Sequence, residues 1–218
     1  MDETPEILPF QRLVCAAACA SLGRAVHVFA LDNACAHIAR TVTEPLMAQI
    51  RLAWWRDGLT ADALGPMHQA PDIAALRAVP DFSSARAGMI ALVDGWEALI
   101  VRDDAGAGQE ILSAYAQGRG GGLFAALAPG HAEYSALAGQ IWALWDLAGH
   151  VHDPELAGMA IDFARVLVEQ QQANPRLPRM LAMMAGVARE DVRRGRGAPR
   201  LLTPRLYGRL VRIQLFGR

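Results

Sequence analysis

The stretch EPLMAQIRLAWWRDGL, residues 44–59, settles whether this chain builds with helices or with sheet. Thr43 followed by Pro45 marks a helix start, because a hydroxyl satisfies free N–H groups and proline suits the first turn. On a wheel of about 100° per residue, Leu46, Met47, Ile50 and Trp54 form one apolar arc, and Ala48, Leu52, Trp55 and Leu59 form another. Arg51 lies between the arcs, with Trp54 and Trp55 one turn ahead; Gln49, Arg56 and Asp57 take the remaining side. A helix that is apolar over most of its circumference belongs in the interior. Arg51 is therefore expected to be buried. A buried guanidinium needs a protein carboxylate or a ligand anion, and indoles can stack on it.

The rest of the chain carries the same helical signature. Of its 218 residues, 53% are apolar, mostly Ala and Leu, which lose little rotamer freedom in a helix. Punctuation by Pro and Gly predicts helices near 10–22, 24–40, 44–64, 83–102, 106–127, 131–150, 155–173, 176–195 and 203–216. Ser83 or Ser84 opens one, Asp153 caps the one that Pro154 begins, and Thr203 precedes Pro204 at the last. No stretch alternates with period two, so no sheet is expected. Pro66, Pro71 and Pro80 make 65–82 an irregular connection, and GRGAP at 195–199 is a second. The GRGGG run at 118–122 follows the helical pattern ILSAYAQ and not a strand. It reads as a helix made flexible or closely packed at Gly120, Gly121 and Gly122 rather than as a phosphate loop.

Every basic residue is arginine, and the charge is segregated. Residues 1–175 hold 10 Arg against 20 Asp and Glu, a net of −10; residues 176–218 hold 11 Arg against Glu190 and Asp191, a net of +9. Such a tail forms an internal clamp or meets an anionic partner. In the last helix Arg205, Arg209 and Arg212 share one face, and Leu206, Leu210 and Ile213 another. An acidic protein or an anionic membrane surface fits that pattern; nucleic acid does not, since no binding motif accompanies the arginines. Cys15, Cys19 and Cys35 read as buried thiols of a reducing compartment. The start MDETPEILPF lacks the basic region of a signal peptide, and no apolar run reaches ~18 residues. The expectation is a cytoplasmic protein, with a peripheral membrane position as the alternative.

Residues 28–59, VFALDNACAHIARTVTEPLMAQIRLAWWRDGL, resemble the squalene/phytoene synthase family. The likeness is strongest to a divergent branch that includes a mitochondrial respiratory complex I assembly factor and bacterial relatives. The segments PRMLAMMAGVAREDVRRG, 178–195, and LYGRLVRIQLFGR, 206–218, are similar to the family's closing helices. The resemblance implies one all-α domain over 1–218, a helical bundle of isoprenoid-synthase type around a central cavity. Active members join two prenyl diphosphates head to head there. Two aspartate-rich motifs on facing helices hold Mg²⁺, which neutralises the departing diphosphate.

The motifs are broken here. The first should fall at Ala36, His37 and Arg40, and the second at His150 and Pro154. Asp32, Asp146, Asp153 and Glu155 are acidic but displaced. The expected polar centre therefore comprises Arg51, Trp54, Trp55, Arg56, Asp32, His37, Asp146 and His150, with no catalytic residue and no metal. Asp146 and His150, one turn apart, with His37, His152 and Asp153, could alternatively hold a transition metal. The functional expectation is a catalytically degenerate relative that binds an isoprenoid-like ligand or helps assemble a respiratory complex. Two alternatives stand beside it: an active transferase using Mg²⁺ on the displaced acids, and a helical interaction domain without a ligand.

Overall fold

The computed structural model describes residues 7–18, 22–65, 70–100, 108–171 and 176–216. It is all-helical, with no strand among the described residues. The helices are α1 (Pro9–Ala18), α2 (Leu22–Thr41), α3 (Pro45–Thr60), α4 (Pro71–Arg77), α5 (Phe82–Ile100), α6 (Gly108–Tyr115), α7 (Gly122–Leu127), α8 (Ala132–His150), α9 (Pro154–Gln170), α10 (Arg179–Arg193) and α11 (Pro204–Phe216). A π-helical segment, Ala116–Gly121, joins α6 to α7 as one rod, and a 3₁₀ turn, Pro129–His131, precedes α8.

Pro45 starts α3 without help from the Thr43 hydroxyl, since Glu44 is the N-cap and no side chain caps the helix, whereas side-chain caps start α9 and α11 where the sequence indicates. Asp153 Oδ1 accepts from the Glu155 and Leu156 N–H groups at 2.9 and 3.3 Å, with Pro154 at the first position of α9. Thr203 Oγ1 accepts from Leu206 N–H at 3.2 Å at the start of α11. Neither expected serine opens α5. Its free N–H groups at Ser84 and Ala85 bond instead to the carbonyl of Asp81, which sits in the left-handed region at φ 56°. The connection at 65–82 also contains α4, which proline masked in the sequence reading. Pro71 begins it, and Ile73 and Leu76 are buried.

The rod from α6 to α7 lies at the centre, between α5 and α8. Glycine lets the backbones touch. A Cβ on Gly120 or Gly139 would stand 2.2 Å from the other's carbonyl oxygen, and one on Gly118 would stand 2.6 Å from Gly95 Cα. The GRGGG run is thus a packing seam on two sides, although Gly121 faces open space. Around this centre α2 and α3 cover α5, and α9 and α10 cover α8. α1 bridges α2 and α10, while α11 closes on α10. Buried residues from Ile7 to Ile213 form one continuous hydrophobic cluster.

The helix α3 departs from expectation. Only the arc of Ala48, Leu52, Trp55 and Leu59 is buried, against α5 and α2. The other arc faces outward: Leu46 is 67% exposed, Met47 47% and Ile50 52%, with Trp54 half-buried. The helix lies at the edge and not in the interior, so Arg51 is exposed and needs no buried partner. Cys15 and Cys35 are buried free thiols; Cys19 lies outside the described residues. No helix among the described residues is long and apolar enough to cross a membrane.

Candidate functional site

Arg119, on the π segment, is the one buried arginine among the described residues. Gly118 packs against α5 and Gly120 against α8, so the side chain between them enters the seam where those helices meet the rod. Arg119 is 4% exposed, and Asp32 on α2 is 1% exposed. Arg119 Nε and Nη2 donate to Asp32 Oδ1 and Oδ2, both at 2.8 Å, a bidentate pair. Nη1 lies 2.8 Å from Asp146 Oδ2 on α8 and donates to Tyr115 Oη at 2.5 Å. The guanidinium carbon stands 4.5 Å from the ring centroid of Trp96 and 4.9 Å from that of Trp142, so indoles from α5 and α8 flank it. Trp96 Nε1 also donates to Asp32 Oδ1, at 2.8 Å.

His150 extends this network to the surface. Its Nδ1 is 3.3 Å from Asp146 Oδ1 and 2.8 Å from the Asp146 carbonyl, with the side chain 35% exposed. The hydrogen bond that His150 donates to the Asp146 carboxylate raises the His150 pKa and outweighs burial, which lowers it. Burial pushes the Asp146 carboxyl up, but Arg119 and His150 together hold it well below the usual carboxylate range. Burial drives the Cys35 thiol well up, Asp32 adds to this, and Arg119 opposes it. Cys35 therefore stays a thiol and is no nucleophile. With His150 protonated, two cations balance two carboxylates.

The structure brings together Asp32, Asp146 and His150 from the expected polar centre, around Arg119, which was not among the expected site residues. Arg51 and His37 are exposed and lie outside the centre. Trp55 is core, and Trp54 stacks edge-on against it at 5.1 Å. Arg56 ties α3 to α5 through Asp94, at 2.6 Å, and Glu97. Of the motif positions that the resemblance marks, Ala36 is buried and Arg40 exposed. Asp153 serves as a helix cap. Asp32 and Asp146 each stand four residues before a marked position, Ala36 and His150 respectively. The signal for Arg119 was a lone arginine inside a glycine and alanine helix. Nothing local separates such a residue from a surface one.

Among the described residues no cluster of three or more His, Cys, Asp or Glu side chains could hold a metal ion. The carboxylates of Asp32 and Asp146 do not fit Mg²⁺, because a guanidinium that never loses its proton already sits between them. The rings of Trp96, Tyr115 and Trp142 are buried around it. A groove of about 300 Å³ opens elsewhere, between α8, α9 and residues 195–197, and none of the residues around Arg119 lines it. The chain matches no family model, no curated protein and no solved structure.

Proposed function

We infer that this chain is a squalene/phytoene synthase-like helical protein without prenyl-transfer chemistry, acting through binding or in the assembly of a respiratory complex. The observation that carries this reading is the Arg119 guanidinium clamped between Asp32 and Asp146. With a guanidinium between the two carboxylates, a divalent cation would have to displace Arg119 to bind them. An internal cation satisfies both carboxylates permanently, and a diphosphate brought there would find no metal to neutralise it. The filled centre also favours an interaction domain with no internal ligand over one that encloses an isoprenoid. Active transfer through displaced acids would require Arg119 to leave a bidentate pair and two indole faces, and Asp153 to leave its cap.

The test is incubation with farnesyl and geranylgeranyl diphosphates and Mg²⁺, with Mn²⁺ and Zn²⁺ in parallel. No condensed product and no released diphosphate are expected. Thermal melts add a direct readout. Mg²⁺ should leave the wild-type melting temperature unmoved and should raise that of Arg119→Ala, where the two carboxylates face a vacated site. Metal-dependent diphosphate release by the wild type, lost in Asp146→Asn, would establish the transferase instead.

A further inference from the structure

The surface between α10 and α11 has a composition that neither the core nor the Arg119 network uses. Residues 192–218 hold 8 Arg and no Asp or Glu. Arg209 is committed internally: its Nε lies 2.9 Å from Glu190 Oε2 and its Nη1 2.8 Å from Asp191 Oδ1. Arg212 also turns to Glu190, at 3.4 Å. Arg196, Arg200 and Arg205 remain exposed, and they bracket three bare apolar side chains. Leu201 is 78% exposed, Leu202 38% and Tyr207 51%.

The largely exposed residues 199–205 form an arch that is anchored on both sides. Ala198 is buried, and its N–H donates to the Trp145 carbonyl at 2.9 Å. On the other side, Thr203 caps α11, whose Leu206 and Leu210 are buried.

We propose that the arch 199–205 and the first turn of α11 dock this protein on an anionic lipid surface. Charge complementarity makes the occupant anionic, because three exposed guanidinium groups face outward from a segment without a carboxylate. The apolar tip favours lipid over an acidic protein. Arginine keeps its head group among phosphates while neighbouring leucines enter the acyl boundary, and a tyrosine ring suits the depth between them. An acidic protein surface would match the arginines and leave Leu201 in water. The proposal goes beyond the functional reading above and does not depend on it.

Flotation of the full chain with vesicles tests it, with Mg²⁺ and diphosphates omitted so that the result concerns this surface alone. Binding is expected to vesicles of phosphatidylcholine mixed with phosphatidylglycerol, to be weak with phosphatidylcholine alone, and to fall as salt rises. Arg200→Gln with Arg205→Gln should weaken it about 25-fold, at roughly fivefold per arginine. Leu201→Ser with Leu202→Ser should weaken it at least about tenfold. All four side chains are exposed, so an unchanged melting curve shows that each variant is folded. Arg40→Gln, on the exposed end of α2, should bind as the wild type does. Failure of the wild type to float with the mixed vesicles would overturn the proposal. So would undiminished binding by the leucine variant, which would reduce the effect to adsorption by charge without insertion of the apolar tip, or equal weakening by Arg40→Gln.

Discussion

At the scale of single residues, two arginines exchange the roles that pattern alone assigns them. Arg51 has tryptophans one turn away, yet its helix lies at the edge and its side chain meets water. Arg119 stands among glycines and carries the buried pair with Asp32. Removing one partner of a buried ion pair costs about 3–5 kcal/mol. For a chain of this size, Arg119→Ala should therefore lower the melting temperature by roughly 6–20 °C. Arg51→Ala should stay within about 0.5 kcal/mol of wild type, as exposed substitutions do. Comparable shifts in calorimetry would contradict the burial described here. The pair of Asp146 and His150 predicts a pH dependence. A depressed carboxyl stabilises above its unfolded value, 3.8, and loses that contribution as pH falls through the lower folded value. A raised histidine stabilises below its unfolded value, 6.5, and loses that contribution as pH rises through the higher folded one. Together they contribute most between those two unfolded values. Melting temperatures taken upward from pH 6.5 should fall in the wild type and change less in His150→Gln, with histidine titration followed by NMR as the direct check.

At the scale of elements, the rod from α6 to α7 depends on which of its glycines touch backbone. Gly120→Ala sets a methyl group 2.2 Å from the Gly139 carbonyl oxygen, and only a shift of α8 relieves it. That overpacking should cost about 1–3 kcal/mol or more. Gly121 has helical dihedrals, φ −61° and ψ −45°, with nothing near a Cβ. Gly121→Ala should stabilise by about 0.4–1 kcal/mol, because it restricts only the unfolded chain. Urea denaturation of the two neighbouring variants should move the midpoint in opposite directions. Loss of stability in both would mean that the seam is wider than the Gly120–Gly139 approach implies. GRGGG and its helical surroundings allowed close packing or flexibility, and the contacts of Gly118 and Gly120 decide for packing. Their partners Gly95 and Gly139 were not legible, since a contact between distant segments leaves no local signal.

At the scale of the whole molecule, the charge segregation resolves into a clamp and an exposed remainder. α11 covers α10 with Leu206, Leu210 and Ile213, and Arg209 meets Asp191, which is 5% exposed and also accepts from Trp145 Nε1 at 3.3 Å. Arg209→Ala should cost about 1.5–3 kcal/mol, the range for hydrogen bonds to charged groups. Deletion after residue 202 strips the apolar cover as well, and circular dichroism should then show a lower and broader melt; an unaltered melt would show that α11 is not part of the core. The all-α class, most helix positions and the capping of α9 and α11 were written in the chain locally, because periodicity, proline and capping side chains act within a turn or two. Burial is different, since it depends on what covers each face. α3 carries two apolar arcs, and the packing of α2 and α5 decided which one is core. Asp32, Arg119 and Asp146 lie on three separate elements. They became one network only when glycine let α5, the π segment and α8 approach closely enough to shut water out around a charge.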